Sequence, residues 1–259
     1  MCSVLFKIFG IPIRSYGLMM VIGFVIGLLR AIRASQRYKI EASWISDLAL
    51  IVLLSGIAGA RIAFIALNLN TESFREFFAV WNGGLSFHGA LIFGILATLT
   101  YTRIRKLSFL QCADLLSPSV AIGYAFARIG CFMNGCCYGA PTSLPWAVRF
   151  HENGIITPPS HPTQIYSALA SILIFLILTR IEKFSTESES QKEKVGLVFI
   201  SYLGLYSIYR FLIEFLRKGY SAKVWLLGIT QAQWVSLLTI AACVIILLLK
   251  YQKLGSRGN

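Results

Sequence analysis

"LQCADLLSPSVAIGYAFARIGCFMNGCCYG", residues 110–139, decides how this chain is read. Its first part, about 110–129, is mostly apolar and carries only two charged residues, Asp114 near its start and Arg128 near its end. About 20 such residues suffice for a helix to cross the hydrocarbon core of a bilayer. The run ends in "RIGCFMNGCCYG", Arg128 to Gly139, where one arginine is followed by Cys131, Asn134, Cys136 and Cys137. Three close cysteines suggest a metal or redox site, and a lone arginine at the edge of a span suggests an anion.

Outward from this stretch, six further runs of spanning length stand at about 15–33, 46–67, 86–102, 162–181, 195–216 and 225–249. The 259 residues are 56% hydrophobic and only 14% charged, where soluble domains carry about 25% charged residues. Mean hydropathy is +0.70. The fold class is therefore all-α: a polytopic membrane protein of seven transmembrane helices, 1–259 forming one integral-membrane domain. The first run is expected to stay in place, since its basic residues follow it and no small-residue cleavage site is present.

The net charge of +13 does not point to nucleic acid, because the cations fall in short blocks between apolar runs. Alternate loops divide them unequally. One set, from Arg30 through Arg105 and Lys192 to Arg257, holds fourteen; the other, from Lys7 through Arg75 and Arg149 to Lys223, holds seven. The richer set is expected in the cytoplasm. The N-terminus then lies outside and the C-terminus inside. Segment 130–160 forms a small external cap, and 185–194 a solvated cytoplasmic linker. Gly23 with Gly27, and Ser55 with Gly59, are spaced for close helix packing.

Ionisable residues inside spans cost at least ~2.5 kcal/mol on insertion scales and are functional candidates by default. With this orientation Tyr16, Arg61, His88, Arg128, His161, Arg210 and Glu214 all fall at the level of the outer leaflet. They describe a basic pocket for an anion with an apolar body, such as a phospholipid. Bland readings stand beside this one. Arg210 and Glu214, four apart, can simply pair. Arg217 can snorkel to the headgroups, and Asp114 can serve as a helix-start or packing residue. His88, just after two glycines at a helix start, reads either as a neutral base or as a structural hydrogen-bonding residue.

At these residues the chain resembles the bacterial prolipoprotein diacylglyceryl transferases. The resemblance rests on "YGLMMVIGF" (16–24), "GARIAF" (59–64), "WNGGLSFHGALIFG" (81–94), "ARIGCFMNGCCYG" (127–139), "HPTQIYSA" (161–168), "YSIYRFLIEFLR" (206–217) and "GITQAQWVSL" (228–237), in that order. It implies a seven-helix enzyme of the bacterial inner (cytoplasmic) membrane. Such an enzyme moves the diacylglyceryl group of phosphatidylglycerol to the lipobox cysteine of a preprolipoprotein signal peptide and releases glycerol-1-phosphate. The partners implied are phosphatidylglycerol, the signal peptide and the bilayer. The resemblance places His88, Arg128 and Arg210 in catalysis. Tyr16, Arg61, Asn134, His161, Tyr206 and Glu214 then line the substrate site. Many members carry asparagine where Cys131 stands, a carboxylate where Cys136 stands, and often glutamate where Ser167 stands.

Two rival readings remain. A membrane thiol oxidoreductase using Cys131, Cys136 and Cys137 would ordinarily show C-x-x-C, which is absent here. An organic-anion transporter would need its charges to reach both faces. No cofactor and no metal is expected: zinc would need a fourth ligand from His151 or His161. The cysteines then serve as small buried groups or as a disulfide around Arg128.

Overall fold

The computed structural model describes residues 4–8, 11–68, 84, 86–152, 155–187, 194–217, 224–226 and 228–255. Trp81 to Gly83 of the third motif, residues 188–193 of the linker, and Arg75, Lys192, Lys218 and Lys223 lie outside these. Seven long helices carry the fold: α1 (Ser15–Ser35), α2 (Ala42–Leu67), α3 (Phe87–Ile104), α4 (Phe109–Asn134), α5 (Thr163–Thr186), α6 (Leu197–Glu214) and α7 (Gln231–Gly255). All seven are long and apolar enough to cross a membrane. The shortest, α3 and α6, have 18 residues each; at 1.5 Å per residue that is about 27 Å, close to the hydrocarbon thickness.

Three short antiparallel hairpins, which the all-α reading lacked, decorate the helices. They are β1–β2 (Val4–Ile8, Ile11–Arg14), β3–β4 (His151–Glu152, Ile155–Ile156) and β5–β6 (Val224–Leu226, Ile229–Thr230). The last hairpin occupies the predicted start of the seventh span, so α7 begins only at Gln231. α4 runs through Arg128 to Asn134, so the irregular segment begins at 135, not 130.

Two compact units divide the chain, one of Met1–Arg30 with Ala113–Asn259 and one of Ala31–Cys112. In the first, the core joins α4, α5 and α6 through Ala121, Ile174, Leu178 and Val198. α1 meets α4 where side chains are smallest. A Cβ on Gly23 would stand 2.9 Å from that of Phe126, and one on Gly27 3.0 Å from the Ser119 carbonyl oxygen. In the second unit, Gly59 plays the same part for α2 and α3, since a Cβ there would overlap Phe93 at 2.3 Å. Gly23, Gly27 and Gly59 of the two expected small-residue pairs therefore stand at close helix contacts.

Two charged groups inside the helices find distant partners. Asp114, buried on α4, does not start its own helix. Its carboxylate accepts from the backbone N–H groups of Gly196 (2.5 Å) and Phe199 (2.8 Å) and so caps α6. Arg30 lies on α1 and is no loop cation: it pairs with the fully buried Glu182 of α5 and donates to the Leu115 carbonyl (2.6 Å). Segment 135–162 folds back on itself, with Val148 and Ser160 exchanging backbone hydrogen bonds and Phe150 buried completely. Phe150 stacks on Tyr138 at 4.9 Å and meets Phe132 edge-on at 6.0 Å.

Asp114→Ala removes both capping bonds at α6. Thermal unfolding in detergent micelles should show a loss of about 1–2 kcal/mol, the usual cost of an uncapped helix start; an unchanged midpoint would mean that water replaces the carboxylate.

Candidate active site

The C-terminus of α4 builds the site. Gly135, at φ +78°, ends the helix in the left-handed region. The N–H of Gly135 bonds the Phe132 carbonyl (3.1 Å), and that of Cys136 bonds the Cys131 carbonyl (3.2 Å). This paired closure is a Schellman motif, which glycine adopts without strain. It folds Cys136 back over the last turn, so its Sγ lies 3.7 Å from the Cys131 carbonyl oxygen. Cys137 is left-handed too, at φ +64°, which for a side chain with a Cβ costs about 1–2 kcal/mol. The first turn of α5 fixes both residues: Gln164 donates to the Cys136 carbonyl (2.6 Å) and Thr163 to that of Cys137 (2.9 Å).

The three thiol sulfurs consequently lie within 4.8 Å of one another. Cys131 is buried, Cys136 half-buried and Cys137 exposed. Hydrogen bonds from Cys131 and Cys136, then the Arg128 and Arg217 guanidinium groups, hold the Cys137 thiol far below the ordinary thiol range against the opposing effect of burial. Asn134 stands beside Cys136.

Arg128 sits one turn before Cys131. Its guanidinium lies over the Tyr124 ring at 4.7 Å, and its buried Nε has no hydrogen-bond partner among the described residues. No carboxylate pairs with it there. Arg30 and Arg210, by contrast, each bond a glutamate, Glu182 and Glu214. Tyr124 meets Tyr206 edge-on at 5.6 Å, and Tyr206 feels both Arg128 and Arg210. Tyr16 opens α1 within electrostatic reach of Arg128 and all three thiols. Gly130 allows that approach, since a Cβ there would stand 3.2 Å from the Tyr16 Cα.

The first unit therefore gathers Tyr16, Arg128, Asn134 and Tyr206, and reaches Arg210 and Glu214. His161 is tied into segment 135–162: its N–H bonds the Ala140 carbonyl, its carbonyl accepts from Gly139, and its Nδ1 lies 3.4 Å from the Tyr166 hydroxyl. The backbone of Arg217 bridges to Gly139, and its Nε is buried without a hydrogen-bond partner among the described residues. In the second unit, buried Arg61 donates to the Gly84 carbonyl (3.1 Å) and faces the Phe64 ring. His88 is exposed on the first turn of α3, its ring edge-on to Phe87 at 5.9 Å. Ser86 caps that helix, accepting from Gly89 (3.5 Å).

Sequence reasoning missed Tyr124, Gln164, and the bond from Tyr209 to Ser167. Tyr124 could have been found, since it precedes Arg128 by one helical turn. Between α5 and α6 runs an apolar groove of about 430 Å³ lined by residues that include Tyr166, Leu173, Ile177, Leu205, Tyr209 and Leu212.

Residues 3–249 match the family described as prolipoprotein diacylglyceryl transferase. The chain belongs to that family. It is similar to the phosphatidylglycerol–prolipoprotein diacylglyceryl transferases of Clostridium tetani (33% identity over 93% of this chain and 94% of that protein) and Clostridioides difficile (34%, over 95% and 94%). The relative from Thermosynechococcus vestitus is 32% identical over 89% of this chain and 86% of its own length. The molecule is thus a transferase and a multi-pass bacterial membrane protein.

In this transferase a half-buried cation paired with no carboxylate among the described residues is a stability cost that a ligand would relieve. Arg128→Met should raise the thermal midpoint, by a gain on the order of 1 kcal/mol. Arg30→Met should lower it by about 3–5 kcal/mol, because the buried Glu182 carboxylate loses its Arg30 partner. A fall with both variants would make Arg128 a structural residue.

Proposed function

We propose that the chain transfers the diacylglyceryl group of phosphatidylglycerol to the lipobox cysteine thiol of preprolipoprotein signal peptides, forming a thioether and releasing glycerol-1-phosphate. The observation that carries the reading is Arg128, half-buried among aromatic rings and paired with no carboxylate among the described residues. A lipid phosphate supplies the missing anion. The family match and the relatives' names support the same chemistry.

The acceptor sulfur attacks the glyceryl carbon, the C–S bond forms, and the C–O bond to phosphate breaks. Arg128 grips the phosphate through two parallel N–H groups and stabilises the charge that grows as it leaves. Arg210 helps, its guanidinium oriented by Glu214. Tyr16, Tyr206 and Asn134 line the headgroup site, with Arg61 and His161 at its margins. His88 is the base that takes the thiol proton. The apolar groove between α5 and α6 receives an acyl chain. The whole chain acts as one domain in the inner (cytoplasmic) membrane, with the N-terminus outside, the C-terminus inside, segment 135–160 as an external cap, and the pocket toward the outer leaflet. The balance of basic loops supports this orientation. A fluorescent protein fused to the C-terminus should fold and fluoresce in cells, whereas an alkaline phosphatase fused there should stay inactive; the reverse pair would put the pocket on the other face.

The decisive assay incubates the purified protein with labelled phosphatidylglycerol and a lipobox peptide. Label should join the cysteine peptide and not its serine counterpart; absence of product with both sinks the proposal. In that assay Arg128→Lys keeps the charge but loses the fork, and the rate should fall by about 10²-fold or more. His88→Ala should lower it by about 10²–10⁴-fold, with partial recovery as rising pH ionises the thiol unaided. A rate that stays low at every pH would deny His88 the role of base.

A further inference from the structure

The three thiols of Cys131, Cys136 and Cys137 are held together by more than sequence proximity. The Schellman closure of α4 turns the second over the first, and a left-handed residue turns the third toward both. Gln164 and Thr163 clamp the carbonyls of the last two. The sulfurs, within 4.8 Å of one another, need little movement to surround one ion: around zinc, with Zn–S bonds near 2.3 Å, tetrahedral thiolates stand about 3.8 Å apart. The cluster is closed on the side of buried Cys131 and open on that of exposed Cys137. Among the described residues no histidine or carboxylate joins the three as a fourth ligand. Three thiolates around a divalent ion leave one net negative charge, and the Arg128 and Arg217 guanidinium groups lie in electrostatic reach to balance it.

We propose that Cys131, Cys136 and Cys137 bind a zinc ion whose open fourth position takes the acceptor thiol of the peptide substrate. The proposal rests on the thiol-transfer reading above and gives that reaction its nucleophile. Thiolate ligands select zinc or copper(I) among the common soft ions. A site with three protein ligands and one open position is the arrangement of reactive zinc. A thiol that coordinates zinc gives up its proton, which passes to water or to a base such as His88. The bound sulfur keeps a lone pair, attacks the glyceryl carbon, and displaces the phosphate oxygen with its bonding electrons into the grip of Arg128. The product thioether is neutral and a poorer ligand, so it leaves the metal. No oxidant or reductant enters. The missing fourth ligand, which argued against zinc from sequence alone, becomes the substrate's place.

The strain at Cys137 supports this assignment. Asparagine or glycine would occupy φ +64° at lower cost, yet a thiol stands there, aimed at two others. Backbone strain that places a reactive group is a pointer to function.

The test uses the full-length protein in nanodiscs, with zinc and cobalt(II) as probes. Equilibrium dialysis should give one zinc per chain. Cys137→Asn, which suits the left-handed backbone, and Cys131→Asn should each reduce bound zinc about tenfold or more while the thermal midpoint stays measurable. Cobalt should show sulfur-to-metal charge-transfer absorption that shifts when a lipobox peptide is added and does not shift with the cysteine-to-serine peptide. Chelation should lower transfer by about 10²-fold, and zinc should restore it. Full-rate transfer after exhaustive chelation overturns the zinc site and leaves the transferase reading standing, as does an active chain locked by a disulfide between two of these cysteines. A cobalt spectrum indifferent to the thiol peptide likewise overturns the proposal. A spectrum that does respond, with no lipid transferred from any anionic phospholipid, supports the site and sinks the transferase reading instead.

Discussion

Hydrocarbon offers no water to solvate a charge, and this one constraint orders the polar side of the structure. Each cation among the apolar helices must meet an anion, a carbonyl or an aromatic face. Arg30 meets Glu182, Arg210 meets Glu214, and Arg61 meets the Gly84 carbonyl and the Phe64 ring. Arg128 lies over the Tyr124 ring, an attraction worth on the order of 1 kcal/mol, and pairs with no carboxylate among the described residues. The same physics that settles the first three on protein partners leaves the fourth as the cation that the proposed lipid phosphate would pair. What separates them is the state of their partners.

The seven helices were legible in the sequence because the signal is composition: spanning runs are long, and few other folds tolerate them. Their ends were less legible. "RIGCF" reads as a boundary because Arg128 and Gly130 interrupt the apolar run, yet the helix continues to Asn134. Gly130 is required there for the approach of Tyr16, not for a break. Hydropathy likewise cannot tell the β5–β6 hairpin from the start of α7, since both are apolar. Asp114 was visible as a buried acid near a helix start. That it caps a different helix depends on a contact between residues more than eighty positions apart, which no local pattern records.

The site was legible in its residue types and not in its pairings. Depth arguments singled out Tyr16, Arg128, Arg210 and Glu214 from their order along spans of alternating direction, and Tyr206 came only with the family resemblance. They could not show that Arg210 is already paired and Arg128 is not. The three cysteines were visible as a candidate metal or redox site and were set aside for want of C-x-x-C and a fourth ligand; how close their sulfurs come depends on two left-handed residues, Gly135 and Cys137. The C-terminal turn of α4 brings together thiols that extended spacing would hold apart.

The end of a helix is an unusual place for thiolates. The C-terminus of α4 carries the negative end of its dipole, which repels anions, where reactive thiolates ordinarily profit from a helix N-terminus. Three thiols at such an end therefore need positive charge from elsewhere. Arg128 and Arg217 supply part of it. Arg128, however, is also the group best placed to hold a phosphate, and a guanidinium bound to a departing phosphate offers less to the sulfurs beside it. A metal ion among the thiolates resolves that competition: it neutralises the sulfurs locally and leaves the arginine free for the lipid. Nucleophile and leaving group would then each have their own cation within one turn of α4, the arrangement that displacing a phosphate at carbon requires.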